Sequence, residues 1–304
     1  MILGMISCLC ITRCDRPGLL SEAVEDFARQ TFPDRELVIL HDGDEAVHAR
    51  VGAIVAAHAG ASIRIEQTPP GQKLGGLRNT AVARSRGEWI CQWDDDDRHH
   101  PERLRLQWEH AQSEGAAVNY LVDQLHWFRP DDLLFWDDWS SEPYPMNVIQ
   151  GTILARRDVM ALYPDIARGE DTLQTHALLQ AEASKAFRVS RLSGSGWCYI
   201  YRYHGGNAWD AAHHRAISVV KHMTPARLLP RLALLRDRLK EYRPELPAMR
   251  TLLGAEIEYV IPDAEDGQTD PGKRNCQAAF FLRRTAPTPD WTSDDGSGKD
   301  VQIA

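Results

Sequence analysis

The sequence predicts an α/β protein with a mostly parallel central sheet flanked by helices, on three observations. Over the first 110 residues, apolar runs of strand length alternate with runs of helix length, the order that builds a right-handed parallel sheet. The first run reads as a strand buried on both faces, as parallel strands are. A further run, Trp89-Ile90-Cys91-Gln92-Trp93, ends abruptly in four carboxylates, Asp94 to Asp97. Acidic side chains therefore sit at a strand's carboxyl end, the edge of an open α/β sheet where ligands bind.

In chain order, Ile6 to Thr12 reads as the first strand and Arg13 to Gly18 as a loop. Leu19 to Gln30 is a helix with Leu20, Val24 and Phe27 on one face. Glu36 to His41 is a second strand stopped by Asp42-Gly43-Asp44, Val47 to Ala59 a small-residue helix, and Ser62 to Gln67 a third strand. After Pro69-Pro70-Gly71 comes Gln72-Lys73-Leu74-Gly75-Gly76-Leu77-Arg78-Asn79 and an alanine-rich helix ending near Gly87. Glycines with a lysine, an arginine and an asparagine at a helix start suit an anion. The acidic strand follows, and Pro101 in His100-Pro101-Glu102-Arg103-Leu104 predicts a helix carrying Leu104, Trp108 and Ala111.

Four adjacent carboxylates repel by roughly 1 kcal/mol per close pair even in water. A solvated acidic loop is the ordinary explanation of such a run. Here the apolar strand before it and the helix start after it favour a divalent cation shared with substrate phosphates.

Composition narrows the classes. The chain has 304 residues, 43% hydrophobic and 26% charged, as soluble globular proteins do. A net charge of -8 disfavours sequence-independent nucleic-acid binding. The apolar start, Met1 to Ile6, lacks a basic leader and is not read as a signal peptide. No apolar stretch reaches the roughly 18 to 20 residues of a membrane span. Cys8, Cys10 and Cys14 lack a following Cys/His pair at zinc-finger spacing, so the six cysteines read as thiols in a reducing cytoplasm.

Thr12-Arg13 after the first strand, Asp42-Gly43 after the second, Leu74 to Asn79, then Gly87-Glu88-Trp89-Ile90 leading into Asp94 to Asp97 and Pro101 to Leu104 together resemble the nucleotide-sugar-binding half of a family 2 glycosyltransferase of the GT-A fold. The resemblance spans roughly residues 5 to 110. It implies a Rossmann-like GT-A sheet with a nucleotide-diphosphate sugar as donor. Thr12, Arg13 and Asp42 would contact the nucleoside, with Lys73, Arg78 and Asn79 near the nucleotide. Asp94 and Asp96 fall on the outer carboxylates of the family's D-x-D motif, beside Asp95 and Asp97. The family uses that motif for Mg²⁺ or Mn²⁺ and the diphosphate. Alternate side chains of an extended segment share a face, so Asp94 and Asp96 are expected to converge. His41 stands where many members carry aspartate, which leaves uridine, guanosine and thymidine open.

The second half would supply the acceptor side. Ala116 to Leu125 and His126 to Phe128 read as strands of a hairpin-like excursion, and Asp131 to Trp139 as a tryptophan-rich loop. Trp127, Trp136 and Trp139 are either an acceptor platform or core. Asn147 to Arg157 reads as a strand crossing the site, and Gly169-Glu170-Asp171 opens a helix carrying Leu178 and Leu179. An acidic first turn suits any helix dipole. By the resemblance, a Glu-Asp pair here lies beneath the acceptor, and Asp171, with Glu170 beside it, is the candidate base. Trp197 to His204 is a further strand whose terminal histidine, as in some GT-A enzymes, would help hold the metal or pyrophosphate; His213 and His214 read as helix-surface residues.

Leu228, Leu232, Leu235 and Leu239 recur at helical spacing among arginines. That describes a helix packing back on the domain, meeting a partner, or lying on a membrane surface across 225–243. The expected organisation is a GT-A domain over 1–222, a helical extension over 223–261 and a polar tail over 262–304 whose composition predicts disorder. The expected function is inverting, metal-dependent sugar transfer to a hydroxyl on a glycan or glycolipid, in the cytoplasm or at the inner membrane face. A non-catalytic sugar-nucleotide-binding module and a metal-dependent nucleotidyltransferase are the alternatives.

Overall fold

In the computed structural model, the described residues are 4–144, 147–253 and 256–261. The first half runs β1 (Ile6–Ile11), α1 (Pro17–Ala28), β2 (Arg35–His41), α2 (Glu45–Ala56), β3 (Ile63–Gln67), α3 (Leu74–Arg84) and β4 (Trp89–Gln92). The expected alternation is present, and β1 pairs parallel with both β2 and β4 while β2 pairs parallel with β3. Side-chain alternation explains why β1 is apolar on both faces apart from Ser7, which donates to Glu36. Ile6, Cys8 and Cys10 pack with Leu20, Val24 and Phe27 of α1, while Leu9 packs with Leu77 and Ala81 of α3 on the other face.

The second half runs β5 (Arg98–His99), α4 (Arg103–Ser113), β6 (Val118–Leu121), β7 (Asp123–Phe128), β8 (Leu133–Asp138), β9 (Leu154–Arg156), α5 (Glu170–Ala183), β10 (Val189–Leu192), β11 (Tyr199–Tyr203), α6 (Ala211–Lys221), α7 (Pro225–Leu228), α8 (Leu232–Leu239), β12 (Met249–Leu253) and β13 (Glu256–Ile261). The central sheet has the order β10-β6-β9-β4-β1-β2-β3. Only β9 runs against its neighbours β4 and β6. A second sheet, β13-β12-β8-β7-β11-β5, lies beyond the sequence expectation.

That sheet corrects several readings. The stretch expected to be a tryptophan-rich loop is strand β8, antiparallel to β7. Leu134 and Trp136 enter one core and Leu133 and Phe135 another, so its aromatic content reflects burial on both faces. Trp127 and Trp136 are therefore core residues, and the Trp136 indole donates to Asp123 Oδ2 at 2.7 Å. Trp139 is half-buried beneath the Lys221 ammonium. The crossing strand is only three residues long, because a 3₁₀ turn occupies Gln150–Thr152. The helix expected from Pro101 begins at Arg103.

The extension over 223–261 is helical only in its first part, since β12 pairs with β13 and, at Arg250, with β8. Leu228, Leu232, Leu235 and Leu239 are all buried in the core that includes Trp136 and Ile200. Of the readings of that stripe, packing on the domain is the one observed. No helix among the described residues is long and apolar enough to cross a membrane. The tail over 262–304 lies outside the described residues.

His214, expected on a helix surface, is buried with its ring against Tyr201, Tyr203, His126 and His213. Burial first, then the neighbouring His126 and His213, pull its pKa down to about 3, against a weaker opposing effect of Asp210. His100 is pulled to about 3 by burial and by Arg238 and Arg29, although Glu241 lies 3.4 Å from its Nε2. Both folded values lie below the unfolded value near 6.5. Each therefore contributes stability that is complete above pH about 6.5 and lost as pH falls towards 3. At pH 5 the expected loss is about 2 kcal/mol per histidine. Urea unfolding at pH 7.5 and pH 5 checks this: His214→Phe should remove its share of the difference, and an unchanged difference would refute it.

Candidate active site at the carboxyl end of the central sheet

The acidic run is held between two posts on α1. On one side the Trp93 indole donates to the Ala23 carbonyl at 3.0 Å. On the other, Arg98 grips Asp26 with two hydrogen bonds of 2.7 and 3.0 Å, and the same carboxylate accepts from the His99 amide at 2.8 Å. Asp94 to Asp97 span the interval.

The interval turns instead of staying extended, and that changes the expected geometry. Each aspartate meets different partners. Asp94 Oδ1 accepts from Arg78 at 3.0 Å and its Oδ2 from the Gln92 amide at 2.7 Å. Asp95 accepts from the Thr12 hydroxyl at 2.5 Å, and Thr12 Oγ1 in turn accepts from the Cys14 amide. Burial, and then Asp96 beside it, push the Asp95 carboxyl up to about 7. Asp96 Oδ2 lies 3.1 Å from His204 Nε2 and 3.7 Å from an Arg16 nitrogen. Burial would raise its pKa, but the His204 hydrogen bond and Arg16 outweigh that and lower it. Asp97 is fully buried, accepting from the Tyr199 hydroxyl and, at 3.0 Å, from the Arg202 amide. Burial followed by Asp96 and Asp94 raises its pKa.

Both oxygens of Asp94 and of Asp97 thus have protein partners, whereas Asp96 and His204 face each other. Among the described residues no three His, Cys, Asp or Glu side chains form a metal-holding group. Asp96 supplies the carboxylate oxygen that a hard cation takes, but His204 Nε2 also lies 2.5 Å from Arg16 Nη1, so a cation held by this pair would displace Arg16 and take its other positions from phosphate and water.

Arg78 joins the two halves of the site. Its Nη2 donates to Asp94, and its Nε donates to Glu170 Oε1 at 2.9 Å from the first turn of α5. Burial would lower the guanidinium pKa, but Asp94 and, more weakly, Tyr163, Glu170 and Asp171 raise it. Glu170 is buried, and burial raises its pKa despite Arg78. Asp171, half-buried, accepts the Thr172 amide at 2.7 Å through Oδ1. This approach of α3 to the loop before α5 requires Gly75, where a Cβ would lie 1.8 Å from the Pro164 carbonyl oxygen.

Other expected residues lie further out. Asp42, with Gln67 and Thr68, lines a cavity of about 560 Å³. Arg13 and Lys73 are exposed. Asn79 is engaged elsewhere: its amide donates to the Tyr163 carbonyl at 2.7 Å and accepts the Tyr163 amide at 2.9 Å, clamping that loop to α3. A second cavity of about 300 Å³ is lined by Arg16, Glu22, Arg129 and His204. Sequence reasoning assigned no role to Arg16, Tyr199 or Arg202. A buried arginine two residues before His204 was the one available signal, because the contacts themselves span more than a hundred residues of chain.

The chain is similar to several known proteins. The succinoglycan biosynthesis protein ExoO of Rhizobium meliloti (strain 1021) is 32% identical over 103 residues, 34% of this chain and 28% of that protein. The chain spans about a third of the length of the curated relatives it matches. Among crystal structures, S. aureus TarS 1–349 in complex with UDP-GlcNAc has a TM-score of 0.53 at 16% identity, covering 79% of this chain and 68% of that chain. The mannosyltransferase PcManGT from Pyrobaculum calidifontis, in complex with GDP-Man and Mn²⁺, has a TM-score of 0.51 at 13% identity, covering 75% and 64%. These likenesses show the GT-A fold. Residues 8–154, a little under half of the chain, match the family described as Glycosyl transferase family 2, so this segment is similar to that family's domain.

Proposed function

We propose that this chain transfers a sugar from a nucleotide-diphosphate sugar to a hydroxyl of a glycan or glycolipid, with inversion at the anomeric carbon. The observation that carries the reading is the Arg78 bridge between Asp94 on the donor side and Glu170 at the start of α5. It fixes Asp171 relative to the acidic run. A single displacement needs that layout, since the acceptor hydroxyl attacks from the face opposite the leaving diphosphate.

In this reading Asp42 and the cavity beside it receive the nucleoside; its volume is within the range of small-molecule sites. Asp96 and His204 would hold Mg²⁺ or Mn²⁺, which when bound neutralises charge on the diphosphate. Arg16, within 3.7 Å of Asp96, adds a fixed positive charge where negative charge develops, and preoriented charge of this kind is usually the largest catalytic contribution. Asp171 takes the proton of the attacking hydroxyl. Two neighbouring folds carry UDP-GlcNAc or GDP-Man with Mn²⁺, which supports a nucleotide-sugar donor. The five described cysteines are buried and unpaired, which fits the reducing cytoplasm proposed as the site of action.

Thermal unfolding with UDP-, GDP- and dTDP-sugars and Mn²⁺ tests this directly. A donor at a hundredfold excess over its Kd should stabilise the fold by about 2.7 kcal/mol, a rise of roughly 5 °C in Tm. Turnover should release nucleoside diphosphate. Release of pyrophosphate, or no response to any sugar nucleotide, would overturn the proposal.

A further inference from the structure

Of the three tryptophans considered for the acceptor, Trp127 and Trp136 are in the core and Trp139 is half-buried, but a different one is exposed. Of the eight tryptophans among the described residues, Trp209 alone is exposed, at 47%. It lies in the loop between β11 and α6, five residues after His204. That loop is fixed at its start, where the Asn207 side chain accepts the His204 amide at 2.9 Å and donates to the Arg202 carbonyl at 2.8 Å. It is fixed at its end by Asp210, which caps α6 by accepting the His213 amide at 2.9 Å. The Trp209 ring stacks on His213 at 4.8 Å with 20° between planes, and the Arg168 guanidinium lies 5.7 Å from its centroid.

Arg168 gives this position its meaning. It precedes Glu170 by two residues and donates to the Ala208 carbonyl at 3.3 Å. The loop that carries Trp209 is thus tied at one end to His204 and Asp96 and, through Arg168, to the segment presenting Glu170 and Asp171. An exposed indole is thus carried on a loop tied both to His204 and to the segment that presents Glu170 and Asp171.

We propose that Trp209 and Arg168 form the platform for the acceptor sugar, an inference that rests on the glycosyltransferase reading above. The indole stacks on the apolar C–H face of a pyranose ring. The Arg168 guanidinium, with its fork of N–H donors, takes that ring's hydroxyls. The two anchored loop ends preorganise the platform, which limits the ordering cost of binding. Trp209 is a positioning residue: it orients the acceptor hydroxyl towards Asp171 and takes no part in proton transfer.

The test uses the full chain with chitotriose, cellotriose and maltotriose as acceptor probes. At least one trisaccharide should change the indole emission of the native protein, and Trp209→Phe should lose most of that change. With that acceptor, Trp209→Ala should raise the acceptor KM about tenfold and Trp209→Phe less, while the Kd for the donor stays the same. No emission change with any of the three, an unaltered acceptor KM, or a weakened donor Kd in its place would overturn the platform; the last would make the loop a cover over the donor. The donor-induced Tm rise does not involve Trp209. Its absence would refute the glycosyltransferase reading, whereas its presence with no effect of Trp209 substitution would refute only the platform.

Discussion

Replacing Asp171 with asparagine is expected to lower turnover by about 10²- to 10⁴-fold, the usual worth of general-base assistance, and to leave donor affinity unchanged within about twofold. The substitution is close to isosteric, and asparagine Oδ1 can still accept the Thr172 amide that Asp171 holds at 2.7 Å. What is lost is the ability to take a proton. Glu170→Gln should behave differently, because Glu170 is buried against Arg78 and its partner contact is structural. It should lower stability as well as rate. Steady-state kinetics with donor binding measured by calorimetry separates the two. Activity of Asp171→Asn within threefold of the native protein would exclude Asp171 as the base.

Arg78→Ala should cost about 3 to 5 kcal/mol of stability, the range for removing one partner of a buried ion pair. That is a large part of the 5 to 15 kcal/mol a domain has. The guanidinium is almost wholly inaccessible and serves two carboxylates on different elements. Its removal strands Glu170 without its cation and takes one of the two donors to Asp94. Arg78→Lys keeps the charge but not the two-pronged geometry, so it should fall between alanine and native in stability and lose the alignment of α5 with the acidic run. Urea unfolding reads the first effect and the turnover of Arg78→Lys the second. A loss below 1 kcal/mol in the alanine variant would mean that the bridge is not holding the two halves together.

The parallel half was legible because its signals are local. Runs such as Ile6 to Ile11 are apolar on both faces apart from Ser7, and Asp42-Gly43 marks where the second strand stops. The location of the site was legible for the same reason, since Trp93 is followed directly by Asp94. Its geometry was not. A turn over Asp95 to Asp97 sends neighbouring carboxylates to Thr12, His204 and Tyr199, and nothing in four identical letters distinguishes those fates. The second sheet was hidden for a related reason: β8 is apolar on alternate faces that enter different cores, and such a run carries no periodicity that separates a buried strand from an aromatic loop. The tryptophans show the same limit. Trp136 and Trp209 have equal chemistry, and only tertiary packing decides which of them meets solvent.

The acidic run borrows its partners from far down the chain. Tyr199, Arg202 and His204 all belong to β11 or its immediate end, some fifty residues past the last position that matches the family. A fragment cut at residue 154 would keep β1 to β4 and every motif quoted from the first 110 residues, yet Asp97 would lose its donors Tyr199 and Arg202, and Asp96 its imidazole. The half that carries the recognisable pattern is therefore not a self-sufficient module. Shuffling it onto a foreign acceptor half would succeed only if the graft brought β11 with it.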